Sequence, residues 1–343
     1  MEQMYVNVGG KNTNVQFLSR DELAQYSFAD ASICVCDEHT ERIEGVPERR
    51  VIVLPAGEEH KSILSVQRIL DTALEARLAR DSSFIAFGGG VVCDMTAFAA
   101  SIYMRGARLT LIPTTLLSMV DASIGGKTGI DYGGCKNIVG TFYPAEVVII
   151  CIELLFSLPE AEYRSGLAEV LKHGLLKGGQ LLSLLEEKRE AILAREPDIL
   201  HEVIFRSLTV KKEYIEADPF EAGVRGHLNL GHTFAHGLES SLGFSGVSHG
   251  DAVAWGVAKA METGLALGIT DRAYATRVSK LLASYGFRLS YSEAEPSVIM
   301  SAMQHDKKKR EGQVRFVLQK TEADTLTMPV PDSVLETVLK DIE

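Results

Sequence analysis

The chain has 343 residues, of which 46% are apolar and 24% are charged, an ordinary composition for a folded protein of one or two domains. Its 46 acidic and 35 basic residues leave a net charge of −11, which disfavours broad binding to the phosphate backbone of a nucleic acid. The five cysteines are odd in number and lie among apolar runs. They therefore indicate a reducing compartment and argue against a disulfide framework.

The sequence shows no targeting or membrane-spanning segment. Its N-terminus lacks a basic region followed by an apolar one, and its least polar stretch, 84–104, contains Asp94 and three consecutive glycines. Such a stretch is typical of a buried strand, turn and helix and not of a transmembrane helix. We therefore expect a cytoplasmic protein without a membrane span.

The first half contains short, nearly continuous apolar runs that predict strands buried on both faces. These runs are 31–36, 50–54, 84–87, 108–112 and 147–152. Residues 62–78 lie between two of them and have apolar side chains at helical spacing. This alternation predicts a parallel, Rossmann-like α/β sheet.

The second half has mostly helical patterns. They cover 161–176, 181–195, 198–217, 232–242, 249–267, 271–285 and 297–304, and a short strand is expected at 315–318. The sequence therefore predicts an α/β domain over 1–153 and a mostly α-helical domain over 154–343.

Two glycine-containing segments in the first half are candidates for binding a phosphorylated ligand. Gly88, Gly89 and Gly90 follow a predicted strand and precede a helix, where glycine lets a pyrophosphate approach the backbone. The second segment, 112–129, has two threonines after a strand and then Gly-Gly-Lys-Thr. It is not a P-loop, because Asp121 stands where the first glycine is required.

Histidines and one glutamate in the helical half favour a divalent metal site. His232 and His236 are four residues apart and share one helical face, as do Glu169 and His173. The zinc-protease motif is excluded, because residue 233 is threonine where that motif has glutamate. Glu169 and Lys172 also share a face, and a surface ion pair is the simpler interpretation of that spacing.

Several cations adjoin glycine or polar motifs in this acidic chain, as expected for a site that binds a small polyanion. Each taken alone is typical of a solvated surface charge. They are Arg105, Lys127, Lys136, Lys172, Lys211, Arg225 and Lys307.

From Gly57 to about Leu318 the chain resembles the 3-dehydroquinate synthase family of sugar phosphate cyclases. The resemblance rests on long motifs in the family's order: GGGVVCD (88–94), YMRG (103–106), IPTTLLSMVDASIGGKTGID (112–131), KNIVGTFY (136–143), SLPEAEYRSGLAEVLKHG (157–174), NLGHTFAHGLES (229–240), HGDAVAWG (249–256) and HDKKK (305–309). It implies an N-terminal Rossmann-like domain that binds NAD and a helical C-terminal domain that binds metal and substrate. It also implies a homodimer.

The implied reaction converts 3-deoxy-D-arabino-heptulosonate 7-phosphate to 3-dehydroquinate and phosphate, a step of the shikimate pathway to the aromatic amino acids. The implied cofactors are NAD and one divalent ion, zinc or cobalt. By this resemblance the metal ligands are Glu169, His232 and His249. This ligand set differs from the pairs that spacing alone favours, His232 with His236 and Glu169 with His173. The resemblance implies that His236 contacts the substrate instead.

The resemblance also assigns the remaining site residues. The implied NAD contacts are Glu58, Lys61, Gly89, Gly90, Asp94, Thr114, Thr115, Asp121, Lys127, Lys136 and Ser157. The implied substrate contacts are Arg105, which reaches a partner subunit's site, and Lys127, Asn137, Lys172, Lys211, Arg225, Asn229, His236 and Lys307, with Lys308 as the alternative to Lys307. Cys93 departs from the family's glycine, so its side chain is expected to crowd the cofactor turn.

Two other enzyme classes share the implied fold. A metal-dependent polyol dehydrogenase would release NADH, but its substrate has no anionic group to match the cations at 127, 172, 211 and 225. A cyclase for a substrate without a carboxylate, such as an inosose or valiolone synthase, would not need Lys211 together with Arg225 and Asn229. A non-catalytic binding protein is disfavoured, because clustered charges are costly to keep in an idle site.

Overall fold

The structure is a computed structural model that describes residues 2–43, 50–243, 246–304 and 314–340. The chain forms two compact units, the first made of 1–163 and 212–220 and the second of 164–211 and 221–343. The predicted domain division at residue 153 falls in a 3-10 turn, Ile152–Ser157, and stays a prediction.

The first unit is built on a seven-stranded sheet of order β1-β2-β9-β6-β5-β3-β4. Its strands are β1 (Glu2–Val8), β2 (Lys11–Phe17), β3 (Ser32–Asp37), β4 (Arg50–Leu54), β5 (Ser83–Gly88), β6 (Arg108–Pro113) and β9 (Val147–Ile150). All neighbours pair in parallel except β1 and β2, which form an antiparallel hairpin. A separate hairpin joins β7 (Lys127–Tyr132) to β8 (Cys135–Phe142).

The central strands match the predicted apolar runs. Every residue of β5 is buried, and in β3 only the final Asp37 is not. Three α-helices lie wholly within the described part of this unit, α1 (Arg20–Ala24), α2 (Ile63–Glu75) and α3 (Gly90–Ile102). The strand order reverses between β3 and β5, and ligands of open α/β sheets bind beside such a reversal, at the carboxyl ends of the strands.

The second unit is mostly helical, as predicted. Its helices are α4 (Glu160–Lys177), α5 (Gly179–Glu187), α6 (Arg189–Leu193), α7 (Pro197–Ala217), α8 (His232–Ser241), α9 (His249–Ala266), α10 (Arg272–Ser284), α11 (Pro296–Gln304) and α12 (Asp332–Lys340). The short ends of α4 and α7, at 160–163 and 212–217, belong to the first unit. A hairpin of β10 (Arg315–Thr321) and β11 (Asp324–Pro329) completes it.

Helix α9 is the centre of the second unit and contacts α8, α10, α12 and β10. Its Trp255 is fully buried and meets the rings of Phe234 and Tyr291 edge-on. The prediction of a single continuous helix at 181–195 is wrong. Two helices form there, because the backbone leaves the α-helical region at Lys188 (φ −108°, ψ 21°).

Among the described residues, no helix is both long and apolar enough to cross a membrane.

Candidate active site

The glycine turn and the threonine pair meet at the carboxyl edge of the sheet, because β5 and β6 are adjacent parallel strands. The amide of Thr114 donates to the carbonyl oxygen of Gly88 at 2.9 Å. A Cβ placed on Gly89 would lie 3.4 Å from Cγ2 of Thr115. Gly89 is the N-cap of α3, so the turn presents free backbone amides and the positive end of a helix dipole. Such an arrangement suits a phosphate or pyrophosphate group.

Cys93, expected to crowd the cofactor turn, is buried on α3, and its sulfur lies 3.7 Å from the carbonyl oxygen of Gly88. Its effect on a bound cofactor stays a prediction. Burial raises the pKa of its thiol, so the residue acts as a small apolar side chain here.

Lys61 is the centre of a second cluster in the first unit. Its ammonium lies 2.7 Å from Oδ2 of Asp94, 2.6 Å from Oδ1 of Asn137 and 3.9 Å from Oε1 of Glu58. Burial opposes its charge, yet the attraction of Asp94 and Glu58 prevails and raises the pKa of Lys61. Asn137 is held with φ of +50°, and its backbone amide donates to Asp131 at 2.7 Å. Three expected cofactor contacts and one expected substrate contact therefore lie together.

The other expected contacts of the first unit lie on several different elements. Asp121 lies in a π-helical turn, Ser118–Ala122, a geometry often found at functional sites. Lys127 and Ser157 are exposed, and Lys136 is half-buried. Arg105 is also exposed. It lies in a backbone segment with positive φ at three successive residues: Met104 (φ 48°), Arg105 (φ 66°) and Gly106 (φ 122°).

Glu169, His232 and His249 form a group in the second unit whose ligand atoms all lie within 4.8 Å of one another. Oε1 of Glu169 is 3.5 Å from Nε2 of His232 and 3.8 Å from Nε2 of His249. Its other oxygen accepts a hydrogen bond from Lys172. No hydrogen-bond donor reaches Oε1 of Glu169 among the described residues, although that atom is fully buried. A buried carboxylate oxygen facing two imidazole nitrogens fits a divalent cation such as zinc.

Close helix packing at glycine sets the distances within this group. A Cβ on Gly250 would lie 2.3 Å from Cα of Ser165, so only glycine lets α9 approach α4 at that point. Similarly, a Cβ on Gly256 would lie 2.1 Å from the carbonyl oxygen of Gly231, where α9 passes the start of α8. His249 precedes the first contact directly, and Glu169 lies one turn beyond Ser165 on α4. The two contacts therefore fix all three ligand-bearing helices.

The two histidine pairs expected from spacing alone have a different arrangement. His236 is adjacent to His232, with ring centroids 5.9 Å apart, but it is outside the group of three. His173 also has a ring nitrogen within 4.8 Å of the Glu169 carboxylate. However, it is fully buried, and its Nδ1 lies 2.7 Å from the hydroxyl of Ser207.

Three of the singled-out cations are buried in the second unit, so their interpretation as solvated surface charges is wrong. Lys172, Lys211 and Arg225 have exposures of 2%, 6% and 2%. Glu169 is likewise fully buried, so its pair with Lys172 is not a surface ion pair. Lys307 and Lys308 lie outside the described residues.

Sequence reasoning missed two glutamates of the second unit. Glu221 has φ of +58°, and its Oε1 accepts a hydrogen bond from Nδ2 of Asn229 at 2.6 Å. Glu239 is buried and lies 3.3 Å from Nδ1 of His249. Glu239 could have been found from the sequence, because it follows His232 by seven residues and His236 by three and therefore lies on the same face of the helix.

The sequence matches two adjoining family models, "3-dehydroquinate synthase N-terminal" over 51–165 and "3-dehydroquinate synthase C-terminal" over 166–309. The chain belongs to the 3-dehydroquinate synthase family. A 3-dehydroquinate synthase of Acidithiobacillus ferrooxidans is 43% identical over 267 residues, which cover 78% of this chain and 73% of the relative. One of Dictyoglomus thermophilum is 41% identical over 295 residues, covering 86% and 82%.

A solved structure supports the same fold. The 2-epi-5-epi-valiolone synthase of Streptomyces hygroscopicus, with NAD⁺ and Zn²⁺ bound, aligns with a TM-score of 0.88 and 26% identity over 100% of this chain and 98% of its own. The family resemblance and the predicted fold class, a Rossmann-like α/β domain with a mostly helical one, are confirmed.

Proposed function

We propose that this chain is a phosphate-eliminating lyase that converts 3-deoxy-D-arabino-heptulosonate 7-phosphate to 3-dehydroquinate and phosphate. Membership of the 3-dehydroquinate synthase family gives the activity. Within the molecule, the supporting observation is the group of Glu169, His232 and His249 in a unit that also buries Lys172, Lys211 and Arg225. Buried cations in an acidic chain suit a substrate that carries both a carboxylate and a phosphate.

The proposed metal is one divalent ion, zinc or cobalt, held by Glu169, His232 and His249. Three protein ligands leave a coordination position open for substrate, as in catalytic zinc sites. We expect about one ion per chain, loss of turnover with a chelator, and recovery with added zinc or cobalt. Full turnover in protein shown to be metal-free would contradict this assignment.

The proposed NAD contacts lie in the first unit. Gly89, Gly90 and Thr115 would hold the pyrophosphate, and Glu58 would accept hydrogen bonds from the ribose hydroxyls. Lys61 would keep Glu58 and Asp94 in place through the contacts described above. The remaining proposed contacts are Thr114, Asp121, Lys127, Lys136 and Ser157.

NAD held by these first-unit contacts would supply a reversible hydride acceptor, and a divalent ion held by Glu169, His232 and His249 would supply Lewis-acid polarisation of substrate hydroxyls. The protein's own contribution is to bind and orient charged groups. Arg225 with Lys211 would hold the substrate carboxylate, since the guanidinium fork matches a carboxylate. Lys172 would neutralise Glu169 and contact the substrate. The other proposed contacts are Arg105, Lys127, Asn137, Asn229, His236 and Lys307.

Product identification is the deciding test. Incubation with the heptulosonate phosphate should yield 3-dehydroquinate and phosphate in equal amounts, with no growth in NADH absorbance and only a catalytic requirement for NAD. Stoichiometric NADH would indicate a polyol dehydrogenase instead. Equal turnover of a heptulose 7-phosphate that lacks the carboxylate would indicate another cyclase.

We also propose a cytoplasmic homodimer. All five cysteines are free, as is usual in a reducing compartment. The β7–β8 hairpin exposes apolar side chains, including Tyr132 (62% exposed), Ile138 (46%) and Phe142 (42%). An exposed apolar surface of this kind is typical of an interface.

A mixing experiment tests whether Arg105 acts in the partner's site. Arg105→Ala and Glu169→Gln should each be nearly inactive alone. In a mixed dimer, one site would combine an intact Glu169 with an intact Arg105 from the other subunit, so random exchange should restore about a quarter of wild-type activity. Absence of recovery from a demonstrated heterodimer would place Arg105 outside the partner's site.

A further inference from the structure

We propose that Glu239 is a positioning residue for the metal ligand His249; this inference rests on the proposed metal site. Nδ1 of His249 lies 3.3 Å from Oε1 of Glu239, and its Nε2 lies 3.8 Å from Oε1 of Glu169. One ring nitrogen therefore contacts each carboxylate. If Nδ1–H donates to Glu239, the lone pair is on Nε2, which is the tautomer a metal ligand needs.

The two histidines of the group are oriented by different partners. Nδ1 of His232 lies 3.3 Å from the backbone carbonyl oxygen of Leu230, a neutral acceptor, whereas Nδ1 of His249 faces a carboxylate. A carboxylate partner both fixes the ring and increases electron donation from the other nitrogen to the metal. Glu239 therefore strengthens His249 as an imidazole donor.

His249 needs such a partner more than His232 does. Its side chain is 35% exposed against 13% for His232, and it is the first residue of α9, where less of the fold packs around it. An exposed side chain loses more rotamer freedom when it is fixed on a metal. The contact with Glu239 restricts the ring before the metal arrives.

Glu239 is a carboxylate in a position where its negative charge is costly. The residue is only 4% exposed and lies in the last turn of α8, near the negative end of the helix dipole. Burial and dipole both oppose a negative charge there. On the same stripe of α8, His232 provides the ligand, His236 the proposed substrate contact and Glu239 the support for the ligand from α9.

The test measures metal affinity directly on metal-free protein. Wild type, Glu239→Gln and Glu239→Ala are titrated with Zn²⁺ against a chromophoric chelator, and Co²⁺ loading is followed by visible absorption. Glu239→Gln keeps the shape of the side chain and should still fold if Glu239→Ala does not. We expect Zn²⁺ binding to weaken by about 10- to 100-fold, the usual cost of losing an outer partner of a metal ligand, and the Co²⁺ spectrum to change.

Two controls separate the possible failures. Glu293→Gln removes the same charge from an exposed pair with Arg288 in the same unit and should bind Zn²⁺ as wild type does. Glu169→Gln should abolish binding.

If Glu239→Gln binds Zn²⁺ as tightly as Glu293→Gln while Glu169→Gln does not bind, the positioning role is overturned. If wild type itself binds no Zn²⁺, the metal site is wrong and the inference fails with it. A purely structural role would lower the melting temperature of metal-free protein and leave the affinity unchanged.

Discussion

The packing of α9 on α4 makes a specific prediction for Gly250→Ala. The new Cβ would lie 2.3 Å from Cα and 2.4 Å from the carbonyl oxygen of Ser165, and the Gly250 amide donates to the Ser165 hydroxyl at 3.1 Å. Carbon atoms in contact are about 3.5 Å apart or more, so the two backbones must separate by roughly 1 Å. Ser165 cannot rotate away, because the clash is with its backbone.

That separation acts on the proposed metal ligands. His249 is adjacent to Gly250, and Glu169 lies one turn from Ser165, so the distance of 3.8 Å between Nε2 and Oε1 must increase. Metal–ligand distances tolerate only about 0.2 Å. We expect Zn²⁺ affinity to fall by more than the roughly 10- to 100-fold typical of losing an outer partner. Overpacking should also lower the free energy of unfolding by about 1–3 kcal/mol.

Chelator-competition titration and denaturant unfolding of metal-free protein measure the two effects. Gly226→Ala is the matched control, because a Cβ there would meet no heavy atom within 4 Å and the residue is in the same unit. It should keep wild-type affinity. A folded Gly250→Ala protein that binds Zn²⁺ as tightly as Gly226→Ala would show that this contact does not set the ligand geometry.

Three further predictions concern other parts of the molecule. Arg225→Lys should lose roughly 1.5–3 kcal/mol of transition-state stabilisation on the carboxylate substrate, which is about 10- to 150-fold in kcat/KM. An analogue that lacks the carboxylate should show no such loss. Equal loss on both substrates would refute the proposed contact between Arg225 and the carboxylate. Lys61→Met leaves Asp94 partly buried without its cation and should cost about 3–5 kcal/mol in denaturant unfolding. The control is Lys320→Met, which removes an exposed ion pair with Asp324 at 3.6 Å and should cost at most about 1 kcal/mol. Similar losses of unfolding free energy in the two variants would contradict the stabilising role of the Lys61 cluster. A thiol reagent should label at most one cysteine in the native protein, Cys135, which is exposed in the single chain and lies on the hairpin proposed as the dimer interface. The other four are buried, and burial raises the pKa values of their thiols, to about 11 for Cys36 and about 12 for Cys151; rapid labelling of several would contradict the packing.

The sequence predicted the central sheet well because its strands are buried on both faces. Five apolar runs became β3, β4, β5, β6 and β9. The β7–β8 hairpin was not predicted, because β8 is exposed along nearly its whole length and has neither an apolar run nor alternation. The β1–β2 hairpin does alternate, burying Met4, Val6 and Val8, so a search for alternation would have found it.

The proposed metal group was not predictable from spacing. Its members come from three helices, α4, α8 and α9, whereas spacing reports only neighbours within one helix. That limit explains why spacing alone favoured His232 with His236 and Glu169 with His173. The missing information is tertiary, and part of it lies in Gly250 and Gly256, whose role is evident only once the packing of α9 is known.

Burial of the cations explains how an acidic chain can select an anionic substrate. With a net charge of −11, the general surface repels anions. Glu169 has one oxygen paired with Lys172, while its other oxygen faces the two histidines, so a metal bound there would leave the pair with Lys172 intact. Two buried carboxylates, Glu169 and Glu239, would then lie beside a divalent ion and Lys172, with Lys211 and Arg225 buried in the same unit. An anion that enters the unit interacts more strongly with each of these buried cations than it would with a cation at the surface.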